Sequence, residues 1–262
     1  MGLTPFKTHQ SLERGLRVIE AAAAVGGPAT LSEIAHKTAL PKSTAHHLLR
    51  ALTQFGYLVQ DADARHYRLG PRLFRLVGHA WTMDELAEIS RPFLEDLSRR
   101  TGEGTSLAVL RDGVVTIIAK RDHDGPVRVV QEVGASRPIY CTAVGKALAA
   151  FLAPAELTPI VARLRFEPMT AKTIRTAAAF RQELARIRAT GFALDNEEHI
   201  EGIRCIAAPV RDHSGEVRAS LCVLGPKSRL PQRRLAELRK TLAAVASTLS
   251  RRLGYRLEDH GP

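Results

Sequence analysis

Cysteine is scarce in this chain. Cys141, Cys205 and Cys222 are the only three in 262 residues, an odd number with no C-x-x-C pair. That argues against a disulfide framework and a cysteine-rich zinc site, and it fits a reducing compartment. Long apolar runs are missing as well: segments such as 114–119 and 144–153 fall well short of the roughly 20 residues a membrane helix needs. No charged-then-apolar leader precedes the first periodic segment, so the expectation is a cytoplasmic protein with no membrane partner. Acidic residues are outnumbered, 27 against 38 Lys and Arg, giving a formal net charge of +11. Such an excess points to an anionic partner. Its density is highest at the N-terminus, where residues 1–80 carry ten Lys/Arg, five Asp/Glu and six of the ten histidines.

What is present is ordinary for folded protein, 45% hydrophobic and 25% charged, so disorder is excluded as the default. The length suits two domains, each with its own core.

Near the N-terminus, Leu12, Leu16, Ile19 and Ala23 recur at helical spacing from Ser11 until Gly26-Gly27-Pro28 ends the run. Thr30-Leu31-Ser32-Glu33 is a capping-box pattern that opens a second helix, 31–38, burying Leu31, Ile34 and Ala35. A third helix begins at Pro41, with Ala45, Leu48, Leu49, Leu52 and Phe55 on its apolar face. Its other face carries Lys42, Ser43, His46, His47, Arg50 and Gln54, a set of hydrogen-bond donors suited to a major groove about 12 Å wide. Two β-prone runs, 57–59 and 66–69, flank the polar loop 61–65 and read as a hairpin wing. Helix, helix, turn, helix and wing form a winged helix-turn-helix. A small helical bundle with a solvated basic face is the alternative. Candidate contacts to double-stranded DNA are Lys42, Ser43, Thr44, His46, His47 and Arg50, with Arg65, His66 and Arg68 on the wing.

Ser11-Leu12-Glu13-Arg14-Gly15-Leu16, Leu40-Pro41-Lys42-Ser43-Thr44-Ala45-His46, Gly56-Tyr57-Leu58 and Tyr67-Arg68-Leu69-Gly70-Pro71 resemble the IclR family of transcriptional regulators. So do Arg91-Pro92-Phe93-Leu94, Thr101-Gly102-Glu103, 141–148 and 202–210, in family order across nearly the whole chain. The resemblance implies a ligand-responsive regulator and not an enzyme. It implies a homodimer or dimer of dimers on a near-palindromic operator, with a GAF-like effector-binding domain and no cofactor. Three departures concern the DNA module. Ala39 stands where the family has a turn glycine, His47 where it has an arginine, and the wing tip lacks the family's Pro and Gly.

The expected fold class is α+β: a winged helix-turn-helix over 8–70, a connector helix over 71–90 and an effector domain over 91–256. Leu73, Leu76, Val77, Ala80 and Trp81 keep a helical rhythm in the connector; a plain spacer is the alternative, but Trp81 suggests a buried contact, with the subunit interface one candidate. In the effector domain, strands 105–111 and 114–120 flank the turn dipeptide Asp112-Gly113, and 127–133 reads as a third strand. Helices follow over 143–152 and 178–190, then strands 204–210 and 217–224. A last helix aligns Leu235, Leu238, Leu242, Val245, Leu249 and Leu253. An antiparallel sheet flanked by helices is the natural packing.

A ligand site is expected where helix 143–152 starts. Thr142 is a good N-cap, and the backbone at Ala143, Val144 and Gly145, with room left by the glycine, offers a positive helix end to a carboxylate. Strand alternation puts Ile203, Cys205 and Ala207 on one face, and Ser220, Cys222 and Leu224 on another shared face. The family resemblance adds Asp195 to this pocket. It also implies a small organic acid as effector, aromatic carboxylates among the candidates, and a neighbouring catabolic operon as target. Activator and repressor stay open, and Cys205 and Cys222 also read as small core residues. The competing function is an enzyme using Cys205 or Cys141 as nucleophile, with the N-terminal module as an accessory nucleic-acid binder. His199 fits no standard ligand or nucleophile spacing beside these cysteines, and no metal site is expected.

Overall fold

The computed structural model describes residues 9–61, 65–73 and 82–256. The chain divides into two compact units, Met1–Thr82 and Met83–Pro262. In the first, α1 (Gln10–Ala23), α2 (Leu31–Thr38) and α3 (Lys42–Gln54) precede the antiparallel hairpin β1 (Leu58–Gln60) and β2 (Tyr67–Leu69). The capping box forms in full: the Glu33 N–H donates to Thr30 Oγ1 at 3.2 Å, and the Thr30 N–H donates to Glu33 Oε2 at 2.7 Å. Ala29 and Tyr67 exchange two backbone bonds, 2.9 and 2.7 Å, which tie the wing to the loop before α2. Val18, Ala21, Ala22, Ile34, Leu49, Leu58 and Tyr67 make the core.

Two expectations about this core change. Helix α1 buries Val18, Ala21 and Ala22, whereas Leu12 and Leu16 are 65% and 52% exposed. The inward face of α1 is thus Val18 with two alanines, and the long leucines face out. Phe55 is 60% exposed, because it is the C-cap residue and lies past the packed turns of α3. Pro41 is the N-cap, one position before the helix proper. Ala39 takes φ 53°, ψ 33°, so the α2–α3 turn is left-handed without its glycine. Of the expected connector, Pro71–Leu73 are helical, whereas Leu76, Val77, Ala80 and Trp81 lie outside the described residues.

The second unit opens with α4 (Met83–Thr101), which passes position 91 without a break. Then come β3 (Gly104–Arg111), β4 (Val114–Arg121), β5 (Ser136–Arg137), α5 (Ala143–Ala149), α6 (Pro154–Arg163), α7 (Ala177–Thr190), β6 (Ala193–Asn196), β7 (Ile203–Arg211), β8 (Val217–Pro226) and α8 (Gln232–Arg252). The six strands form one antiparallel sheet in the order β5-β4-β3-β8-β7-β6. Helices α4 and α8 pack against the sheet and each other, and α8 buries Leu235, Leu238, Leu242, Val245, Leu249 and Leu253 as expected. Helix α5 and α7 build a separate core with Ala108, Ala193, Ala207, Cys222 and Leu224.

The run 127–133 is not a strand. Val127, Val130 and Val133 are 63%, 61% and 58% exposed. The edge of β4 is taken by the residues just after it: Gly134 N–H donates to Ile117 O at 2.8 Å, and Ile117 N–H to Ala135 O at 3.1 Å. Helix α6 and strand β6 go unread in the sequence; β6 spans only Ala193–Asn196, too short for its alternation to show.

Candidate DNA-binding face and effector site

Helix α3 keeps its polar side outward. Lys42, Ser43, His46, His47 and Arg50 are all exposed, Thr44 is half-buried, and Ala45 and Leu49 are fully buried on the opposite side. The His46 and His47 rings meet edge to face, 6.5 Å between centroids. On the wing, Arg65 is exposed at φ 51°, and its N–H donates to Asp61 O at 3.2 Å. His66 is half-buried. Arg68 is exposed but donates to Asp61 Oδ2 at 3.2 Å, so it must leave that partner to reach a phosphate. Exposed pairs of this kind are worth roughly 0–1 kcal/mol, a small barrier to exchange.

In the second unit the register decides which side chains meet. Cys205 stands opposite Leu224, Ala207 opposite Cys222, and Asp195 opposite Cys205. Ser106 of β3 stands opposite Cys222, and Ala108 opposite Ser220. Directly paired residues share a face, so Asp195, Ile203, Cys205, Ser220, Cys222 and Leu224 all lie on one side of the sheet, together with Ser106. Ser106 and Ser220 are both fully buried, and neither hydroxyl has a hydrogen-bond partner among the described residues. Two orphaned hydroxyls on one buried face cost free energy unless a ligand or water completes them. Ser106 escapes sequence reasoning, because its place beside Cys222 depends on a pairing between distant strands.

Helix α5 departs from expectation at Gly145, where the room expected beside the glycine is already filled. Thr142 is the N-cap, with the Gly145 N–H donating to its Oγ1 at 3.2 Å and its own hydroxyl donating to Pro138 O at 2.6 Å. A Cβ at Gly145 would stand 2.6 Å from Ile139 Cα and 2.7 Å from Ile139 O. The glycine therefore seats the helix against the chain before it. Thr142, Ala143, Val144 and Gly145 are all buried.

Beside them lies a charged cluster that the sequence did not announce. Lys146 is fully buried and donates to both Glu198 oxygens at 2.6 Å, with Glu183 at 3.5 Å. Asp195 Oδ1 accepts from the Glu198 N–H at 2.8 Å and the His199 N–H at 3.3 Å. Burial pushes the Asp195 carboxyl up to about 7, against the two backbone bonds that favour its anion. Burial, and then the charge of Arg137, push the His199 imidazole down.

The thiols are displaced away from nucleophilic use. Burial, reinforced by Asp195 and Glu198, pushes Cys141 up to about 12. A hydrogen bond with Cys222, then burial, raise Cys205 well above the ordinary thiol range. A catalytic thiolate needs the opposite shift.

A family model described as the IclR helix-turn-helix domain matches residues 11–62, and one described as the bacterial transcriptional regulator IclR C-terminal matches 79–251. The chain belongs to the IclR family. It is a transcriptional regulator with a DNA-binding helix-turn-helix and a C-terminal effector domain, and its relatives are named as regulators, not enzymes. It is 34% identical over 248 residues to the regulator XynR of Escherichia coli K12, covering 94% of this chain and 98% of that protein. It is 32% identical to the transcriptional repressor IclR of the same organism, covering 87% and 84%. Among solved IclR-family structures, Pseudomonas aeruginosa HmgR superposes with a TM-score of 0.73 at 30% identity, covering 94% and 98%. Agobacterium tumefaciens repressor BlcR gives 0.69 at 28%, covering 95% and 99%.

Proposed function

We propose that this IclR-family regulator holds a near-palindromic operator as a homodimer or dimer of dimers. Helix α3 enters the major groove, and Arg65, His66 and Arg68 reach phosphates or the adjacent minor groove. The observation that carries the reading is the outward donor-rich face of α3, with Lys42, His46 and Arg50 exposed above a core anchored by Ala45 and Leu49. The second half of the proposal is a small organic acid in the effector domain. Its oxygens are received by the unpaired hydroxyls of Ser106 and Ser220, with Asp195, Cys205 and Cys222 around it. Thr142, Ala143 and Val144 close the site from α5. Aromatic carboxylates belong among the effectors to be tried, and the target is a catabolic operon. No described helix is long and apolar enough to cross a membrane, and we place the protein in the cytoplasm beside its DNA.

The test is a mobility shift on the DNA upstream of the protein's own gene and neighbouring genes, with and without a panel of organic acids. A sequence-preferring shift that one acid alters supports both halves. The absence of any preferred duplex rejects the operator reading.

A further inference from the structure

Between β4 and β5 the chain presents an apolar strip to solvent, and both ends of that strip are fixed. At its start Val127 O accepts from Arg229 Nη1 at 2.8 Å, and that arginine is itself held by buried Glu103 at 2.9 and 3.0 Å. At its end the Gly134 N–H donates to Ile117 O at 2.8 Å. Between these anchors exposure alternates as it does along a half-covered strand. Arg128, Val130 and Glu132 are exposed, whereas Val129 and Gln131 are half-buried. Val129 packs inward on the core that holds Ala108, Cys222 and Leu224. With Val127 and Val133 added, three valines of this strip stand 58–63% exposed. Aliphatic side chains held in water on a segment pinned at both ends suit a surface kept ready for a partner.

The order of charges says which partner. Arg128 and Glu132 lie two residues to either side of Val130 and carry opposite signs. Turned antiparallel about Val130, a second copy of the segment sets Arg128 beside Glu132 twice, Val127 beside Val133 twice, and Val130 beside itself. A parallel copy would set like charges together, which disfavours it. Such self-complementarity is what a twofold contact requires, because both subunits offer the same patch. We infer that segment 127–133 is a self-docking strip through which one protomer pairs antiparallel with a second copy, the twofold axis passing at Val130. The inference deepens the self-association proposed above and rests on it. Seven residues fall far short of the roughly 20–30 a side in a standard interface, so the contact is weak alone and is best read by covalent trapping.

The experiment uses the full chain carrying Val130→Cys, with Val133→Cys as a control of matching exposure. Both are oxidised with copper phenanthroline and followed on non-reducing gels beside the parent chain with its own three cysteines. Directly opposed Cα atoms of an antiparallel pair lie about 4.5–5.5 Å apart, within disulfide reach. Position 133 stands about 20 Å from its own copy in this register, at ~3.4 Å per residue. Val130→Cys is therefore expected to form covalent dimer at least about tenfold faster than Val133→Cys, because a held pair meets at a far higher local concentration than colliding molecules. Mixing Val127→Cys with Val133→Cys brings fast crosslinking back. Added to Val130→Cys, either Arg128→Glu or Glu132→Arg alone slows crosslinking by about threefold or more, and the two together restore it. Equal rates at positions 130 and 133 in a chain that sediments as a dimer or larger overturn the inference and leave the proposed self-association standing. A double charge exchange that fails to recover the rate overturns the antiparallel pairing in the same way. A chain that sediments as a monomer at every concentration removes both.

Discussion

Arg50 lies one turn beyond His46 on the outward side of α3, a position from which a guanidinium can reach base edges in a groove. Arg50→Ala is expected to weaken binding to the preferred duplex by about 1–3 kcal/mol and to relax its selectivity, read from anisotropy on matched and scrambled DNA. Ala39 gives a residue-scale prediction about stability. Its left-handed backbone costs an L residue roughly 1–2 kcal/mol, and glycine's extra freedom in the unfolded chain returns part of that. Ala39→Gly should therefore stabilise the N-terminal unit by about 0.5–1 kcal/mol, seen in thermal melting followed by circular dichroism. Individual site residues were unevenly legible. The outward set on α3 could be read because a helix fixes direction every 3.6 residues. Ser106 and Lys146 could not: one acquires meaning only through its strand partner, and the other looks like a surface lysine until Glu198 closes over it.

At the scale of elements, local chemistry was the most readable. The capping box at Thr30 and Glu33 is complete, and Thr30→Ala should cost about 1 kcal/mol, measured in the same melts. Helix α5 offers a sharper case. Gly145→Ala forces a methyl against the Ile139 backbone, and overpacking of this kind typically costs about 1–3 kcal/mol. The check is the urea midpoint of the effector domain. Where element reading failed, tertiary context had overridden local pattern. On α1 the periodicity pointed to Leu12 and Leu16, yet the buried face is Val18, Ala21 and Ala22. The valines of 127–133 had strand propensity, yet the ladder bonds to Ile117 go to Gly134 and Ala135 just after them. The parity of Cys205 and Cys222 was readable from alternation alone, because each strand is long and regular.

For the molecule as a whole, two carboxyls in the effector domain make opposite demands on pH. Asp195 is raised to about 7, so the folded state holds a proton that the unfolded chain releases near 4. Its contribution is fully present below pH 4 and is lost as pH rises to 7. Glu197 is lowered to about 2, first by hydrogen bonds from Lys172 and then from Lys227. That contribution is present above the ordinary glutamate range and is lost as the pH falls toward 2. Asp195→Asn should flatten the fall in the effector domain's urea midpoint between pH 5 and pH 7.5; an unchanged fall would place the responsible group elsewhere. The sheet order also governs how the protein is made. Central strand β3 has β8 as one of its two neighbours, and β8 ends at Pro226. A nascent chain leaving the ribosome can close the core of its DNA-binding unit once residue 73 is out, whereas the sheet must wait for some 150 further residues with one side of β3 open. Any message cut short in that interval yields a gripping module attached to a half-built, sticky sensor.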